Sequence, residues 1–303
     1  MIETLSTIFT SITAGSASIQ NERVYLERFI HISKKMENNS CKICGSERKK
    51  IFEKKILEKQ DVSYFKCAKC GFVQTEKPYW LSEAYSSAIS SVDVGLANRN
   101  IQFSDVVENL IYKHFNKHGK FLDFAGGYGL LARIMRDRGF DYYREDKYCE
   151  NIFAKHFDIT DLPEEDRKFE LITAFELMEH IENPFEELDY IFSMTSSFLF
   201  STELLPDHNV ENWWYLGTEH GQHISFYTKD AIKLIAKKYN KAYFPNGNLH
   251  LITDKKNENF FQEIPKYMKF FKKAKKIALP RKKMPSKTWE DFQVVIKKEK
   301  NNV

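Results

Sequence analysis

The chain lacks several features that would each have fixed its class. No run reaches the roughly 18 apolar residues that cross a bilayer, so a membrane-spanning helix is not expected. The first residues lack the basic cluster of a secretory signal. A formal net charge of +4 is too slight to imply nucleic acid as a partner by itself. No internal repeat is visible. A soluble, cytoplasmic protein is the simplest expectation. Cysteine is also scarce, with five in 303 residues, yet four of the five fall into one pattern.

That pattern is Cys41-Lys-Ile-Cys44-Gly and Cys67-Ala-Lys-Cys70-Gly. Two such knuckles separated by a hairpin-length segment form a zinc-ribbon signature, because each short loop aims two thiolates at one tetrahedral ion. Four cysteines close the coordination sphere, so the Zn2+ is expected to be structural. Disulfides are the competing explanation, but nothing in the chain suggests export. So small a ribbon has little core, and metal should supply much of its folding energy. The neighbouring Arg48, Lys49, Lys50, Lys54 and Lys55 are placed to touch phosphate, although a solvated hairpin face explains them as well. Cys149, outside the pattern, reads as a small side chain near the second strand.

The most informative stretch is Lys120–Gly129 (KFLDFAGGYG), a strand-like run that ends in a glycine loop. Phe121, Leu122 and Phe124 suit a buried parallel strand. Gly126, Gly127 and Gly129 let backbone approach a ligand closely, and Leu130–Arg138 reads as a helix whose N-terminus faces it. Asp146 closes the next strand-like run, DYYRED, where a carboxylate can accept ribose hydroxyls. Gly127-Tyr-Gly129-Leu-Leu-Ala132 also satisfies the dinucleotide pattern G-x-G-x-x-A. Asp123 discriminates between the two readings. A carboxylate beside the loop repels pyrophosphate and suits the ammonium of S-adenosylmethionine, which carries no phosphate.

On these residues the chain resembles the class I S-adenosylmethionine-dependent methyltransferases. Their first motif, approximately D-x-G-x-G-x-G, is matched by Asp123, Ala125, Gly127 and Gly129, with Ala125 replacing the first glycine. The resemblance continues through Phe169–Pro184 and a fifth strand at Ser197–Leu205 to His223-Ile-Ser-Phe-Tyr-Thr228, roughly residues 85–255. It implies an α/β, Rossmann-like, seven-stranded sheet with a reversed last strand, beside the small N-terminal zinc-ribbon module. Lys241–Phe244 and Leu249–Thr253, around an Asn-Gly turn, suit the closing hairpin. The cofactor would be held by Asp123, Ala125, Gly126, Gly127, Gly129 and Asp146. Asp158 would lie near the adenine amino group, and Glu176 near the methionine part.

Methyl transfer from a sulfonium needs alignment, exclusion of water and removal of a proton from the acceptor. The stretch Asn212–Thr228 (NWWYLGTEHGQHISFYT) is aromatic and histidine-rich and would lie over the crevice. His223 is the expected base, since imidazole titrates near neutrality, and His220 is the alternative. A purely structural role for His223 is equally open. His223 also matches a His-x-x-aromatic-aromatic-Ser/Thr pattern of sugar C-methyltransferases, in which Gln222 stands where glutamate is common. Trp213, Trp214 and Tyr215 suit either sugar stacking or anchoring of the lid. In FELMEH, Glu179 and His180 recur in resembling enzymes, where they look architectural as often as catalytic. The N/D-P-P-Y/F motif of amine and amide methylation is absent after the fourth strand. Upstream, Asp93 and Arg99 lie in a segment suited to closing over the cofactor.

Five segments are expected: an extension (1–35), the ribbon (36–80), a helical lead-in (81–119), the methyltransferase domain (120–255) and a basic tail (256–303). In the tail, residues 265–283 have helical spacing and nine basic residues without an acidic one. Such a helix suits an anionic membrane surface, RNA or an anionic substrate, or packing on its own domain. The expected activity is methyl transfer to oxygen or carbon of a small polar acceptor, a saccharide or nucleotide-sugar in glycan assembly. The rivals are an RNA methyltransferase gripping with ribbon and tail, and a non-catalytic binding module on the same fold.

Overall fold

The computed structural model describes residues 40–85, 95–256, 259–261, 294 and 297. The extension 1–35, Asp93 and the basic helix expected over 265–283 lie outside the described residues. The described residues from Cys41 onward belong to one compact unit.

Its centre is a mixed sheet of six strands among the described residues. They are β4 (Lys120–Phe124), β5 (Asp141–Glu145), β6 (Leu171–Ala174), β7 (Ser197–Ser201), β9 (Ala242–Asn246) and β10 (Leu249–Thr253), in the order β5-β4-β6-β7-β10-β9. The first four run parallel, and β10 is antiparallel to both β7 and β9. This is the expected Rossmann-like sheet with its reversed strand. The β9–β10 hairpin forms around Gly247, whose φ of +64° is readily adopted by glycine. Strands β6, β7 and β10 are buried along their whole length, as befits strands covered on both faces.

Six strands form where seven were expected. The seventh is reduced to one parallel bridge, Arg144 to Asp158. His156 has φ +66°, and that left-handed residue ends any extended path into Phe157 and Asp158.

Among the described residues, four helices of eight or more residues flank the sheet. In α1 (Leu96–His114), Phe103, Val106, Val107, Leu110 and Ile111 are buried at helical spacing. Helix α2 (Leu130–Asp137) begins after Gly129 in the left-handed region. Helix α3 (Pro184–Met194) opens with proline at its first turn, where the missing N–H costs nothing. Helix α4 (Lys229–Lys238) is capped by Thr228, whose hydroxyl accepts the Ala231 N–H.

The ribbon is built from β1 (Arg48–Ile56), β2 (Gln60–Cys67) and β3 (Val73–Thr75). Its sheet takes a fourth strand, β8 (Ser225–Phe226), from the middle of the methyltransferase segment, giving the order β1-β2-β3-β8. Val73 pairs with Phe226 and Gln74 with Ser225. Around that seam Ile56, Val62, Tyr64, Val73 and Trp80 pack with Tyr215, Leu216, Ile224 and Phe226. At roughly 1.5–3 kcal/mol per large apolar side chain buried, this cluster fixes the lid to the ribbon.

Candidate active site

The glycine loop follows β4 directly. Ala125, at the position of the motif's first glycine, has φ +55°, a conformation costing a residue with a Cβ roughly 1 kcal/mol. Gly127 is also left-handed, and a Cβ there would meet nothing within 4 Å. That backbone faces open space. Asp146 ties this loop to the turn after β5. One carboxylate oxygen accepts the Gly127 N–H at 2.9 Å, and the other accepts the N–H groups of Tyr148 and Cys149 at 2.8 Å each. A carboxylate has about four acceptor positions, so one on Oδ2 is left for a ligand hydroxyl.

Asp123 lies under the loop and not on the open wall of the crevice. It is only 4% exposed, its Oδ1 accepts the Thr173 hydroxyl at 3.1 Å, and its Oδ2 would stand 2.6 Å from a Cβ on Gly126. Burial pushes its pKa up to about 7, Asp146 adding to the shift while Thr173 and Arg144 oppose it. Its charge is therefore conditional, and a cation bound above would draw it out.

Asp158 spends one oxygen on Arg144, at 2.7 Å, and its backbone N–H donates to Asp161. Arg144, buried in β5, was not anticipated from sequence. Its guanidinium also donates to the carbonyls of Gly127, at 2.6 Å, and Cys149, so one side chain holds three loops around the crevice. Nothing local in the sequence distinguished it from a solvated arginine.

Glu176 follows β6 with φ +56°. Its carboxylate accepts the Ser201 hydroxyl at 2.6 Å, and its N–H donates to the same oxygen at 2.8 Å. The adjoining turn, Met178–His180, is stitched to the lid strand. Ile224 N–H donates to the Glu179 carbonyl at 2.8 Å, the Ser225 hydroxyl to the Ile181 carbonyl at 2.7 Å, and the Tyr227 hydroxyl to the Met178 carbonyl at 3.2 Å. These bonds bring His180 and His223 together, with ring centroids 4.9 Å apart.

The two lid histidines differ in what they can do. His220 accepts the Gln222 N–H on Nδ1 at 3.1 Å, so its lone pair is spent. His223 Nδ1 lies 2.6 Å from the Tyr215 carbonyl. A carbonyl only accepts, so Nδ1 carries the proton and Nε2 is bare. His180 Nδ1 likewise meets the Gln222 carbonyl at 3.1 Å, with the Tyr85 hydroxyl 3.0 Å away. Burial holds His223 well below the ordinary histidine value and His180 down to about 4, so both imidazoles are neutral at physiological pH.

Glu179 stands beside them, wholly buried, and neither carboxylate oxygen has a hydrogen-bond partner. Burial, then the charge of Glu176, push its pKa up to about 8, although the nearby Tyr215 and Thr202 hydroxyls moderate the rise. Sequence had placed Glu179 and His180 between architecture and chemistry. Gln222, where resembling enzymes carry glutamate, donates its side-chain amide to the Ala84 carbonyl at 2.8 Å. Of the three lid aromatics, Tyr215 is 3% exposed and Trp213 packs on Tyr215 and Phe226, whereas Trp214 is 74% exposed.

The four ribbon cysteines fit a metal. Their sulfurs all lie within 4.8 Å of one another, with Cys41 to Cys70 at 3.5 Å and Cys44 to Cys67 at 3.4 Å. A tetrahedral zinc with bonds near 2.3 Å sets sulfurs about 3.8 Å apart. All five cysteines are free thiols. The Cys70 sulfur, and after it backbone N–H groups of the knuckle, draw the Cys41 thiol down to about 5 against the opposing effect of burial. Of the basic residues nearby, Arg48 is buried and donates to the Thr75 carbonyl. Lys50 and Lys55 pair with Glu53 and Asp61.

Residues 97–242 match the family model described as a methyltransferase domain. Residues 97–242 are a methyltransferase domain, and the sheet order above agrees with that match. Three solved structures show how far the likeness extends. The plantazolicin methyltransferase BpumL in complex with SAH is 12% identical, covering 52% of this chain and 85% of that chain at a TM-score of 0.38. Magnesium protoporphyrin IX methyltransferase (ChlM) from Synechocystis PCC 6803 with bound SAH is 13% identical, covering 57% and 90% at 0.40. An O-methyltransferase family 2 protein from Planctomyces limnophilus DSM 3776, in complex with apigenin, is 16% identical, covering 57% and 64% at 0.38. Likenesses this slight carry no acceptor to this chain. No curated protein matches it. Among the described residues, no helix is long and apolar enough to cross a membrane.

Proposed function

We propose that the protein moves a methyl group to oxygen or carbon of a small polar acceptor, a saccharide or nucleotide-sugar. S-adenosylmethionine would supply the methyl on a sulfonium that leaves as a neutral thioether. Gly127 and Asp146 would form the ribose end of its seat, with Ala125, Gly126 and Gly129 shaping the turn. Asp123 would complement the cofactor's positive charge from beneath, Glu176 would stand near its methionine part, and Asp158 near its adenine. The four cysteines would hold a structural Zn2+ whose work is to seat the lid, since β8 and the histidine turn hang on the ribbon sheet.

The observation that carries this reading is the bare Nε2 of His223. Of the two candidate residues on the lid it alone keeps a lone pair, in a neutral imidazole, so acceptor activation is assigned to His223 and not to His220. Trp214 is the aromatic free to stack on a pyranose face. RNA is the weaker reading, because Arg48 is buried and Lys50 and Lys55 already face carboxylates. Labelled S-adenosylmethionine with a panel of nucleotide-sugars and glycans tests the assignment. Transfer to one of them, abolished by His223→Gln and kept by His220→Gln, is expected. Transfer to RNA alone, or equal loss in both variants, contradicts it.

A further inference from the structure

We propose that Glu179, His180 and His223 form a second metal site, for a divalent transition-metal ion, on the floor of the acceptor cleft. Their ligand-capable atoms lie within 4.8 Å of one another. Hydrogen bonding determines what each presents there. Both histidines use Nδ1–H on backbone carbonyls, Gln222 for His180 and Tyr215 for His223, and each is left with a bare Nε2. That is how protein imidazoles are oriented for metals, the second nitrogen anchored to a fixed acceptor. Glu179 adds a carboxylate that is fully buried with both oxygens unpartnered.

In its ionised form Glu179 makes this a cluster of three acceptors, with no hydrogen bond to either carboxylate oxygen. An unpaired buried carboxylate is costly, and two imidazole lone pairs cannot offset it. A cation satisfies all three at once. Two nitrogens and one carboxylate suit Zn2+, Mn2+ or Co2+ better than Ca2+ or Mg2+. Three protein ligands, two of them on partly exposed histidines, leave coordination positions open, unlike the closed set of four cysteines.

The inference rests on the methyl-transfer reading for its chemical consequence and makes it specific. An acceptor hydroxyl bound at an open position is acidified by the ion. Its O–H bond breaks and the proton passes to water. An O–C bond forms as the sulfonium S–C bond breaks, and that bond's electron pair stays on sulfur. His223 then activates the acceptor by holding the ion, not by taking the proton.

The test uses the full-length protein with zinc kept on its thiolates, which Mn2+ displaces poorly. Mn2+ is titrated and followed by electron paramagnetic resonance, with S-adenosylhomocysteine binding measured in parallel by calorimetry. One Mn2+ per chain is expected, weakened at least tenfold by Glu179→Gln and by His180→Asn, with S-adenosylhomocysteine affinity unchanged. In the wild-type protein, bound Mn2+ should broaden the ring proton resonances of His180 and His223, a readout that needs no variant to fold. S-adenosylhomocysteine binding without Mn2+, Co2+ or Zn2+ uptake beyond the four cysteines overturns the site, as does uptake that leaves both histidines sharp. Metal uptake with that broadening but no S-adenosylhomocysteine binding supports the site and sinks the methyl-transfer reading instead.

Discussion

The ribbon and the crevice handle their reactive groups in opposite ways. In the ribbon four sulfurs face one another within 4.8 Å, and one tetrahedral ion would use every one of them. In the crevice, groups are left unspent. Glu179 has two orphan oxygens, Asp123 is buried with its pKa near 7, and Ala125 sits in a left-handed conformation. The first arrangement maximises stability. The second tolerates local cost where ligands are expected, the usual mark of a working site. The difference predicts a sign: substitutions that undo the ribbon's closure should destabilise, whereas substitutions that relieve the crevice should stabilise the ligand-free protein.

The largest effect is expected from Cys67→Ser. Structural zinc supplies on the order of 10 kcal/mol in small zinc domains, and here the ribbon also shares β8 with the lid. The melting temperature should fall by roughly 10 °C or more, and methyl transfer should fall with it. S-adenosylhomocysteine binding should survive, because the glycine loop lies on the other sheet. Loss of zinc without loss of transfer would detach the ribbon from the lid's function.

Asp123→Asn sharpens the opposite side. The folded pKa is raised, so between about 4 and about 7 the folded protein holds a proton that the unfolded chain has released. Stability is therefore lost as pH rises through that window, by up to about 4 kcal/mol. The amide should remove most of that slope in denaturant titrations from pH 4 to 9. An unchanged slope would mean Asp123 is not the buried acid described here.

Glu179→Gln should stabilise the metal-free protein at neutral pH by about 1–3 kcal/mol, since the buried acid must hold a proton that the unfolded chain has released and the amide need not. Destabilisation of that size would show the carboxylate to be satisfied after all. The smallest change is expected for Ala125→Gly. Relief of the left-handed strain and glycine's extra unfolded-state entropy nearly cancel, leaving a gain below about 1 kcal/mol by thermal unfolding.

Much of this was legible in the sequence wherever the physics is local. Two knuckles of four residues must aim their thiols together, and a strand that ends in glycines must turn tightly, so the cysteines and Gly126–Gly129 were found directly. The hairpin at Gly247 announced itself in the same way. What stayed hidden depends on distant partners. Pairing of β3 with β8 joins segments about 150 residues apart. Arg144 matters because three loops converge on it. Glu179 is notable only for bonds it does not make, and the seventh strand is reduced to a single bridge just after the left-handed His156.

Whether the glycine loop and Asp146 seat S-adenosylmethionine is decided by calorimetry with S-adenosylhomocysteine on the wild-type protein and Asp146→Ala, with NAD as the competing ligand. The wild-type protein is expected to bind S-adenosylhomocysteine and not NAD, and Asp146→Ala to weaken binding at least tenfold, about 1.4 kcal/mol. Tight NAD binding with no heat from S-adenosylhomocysteine, or full affinity in the variant, would contradict it.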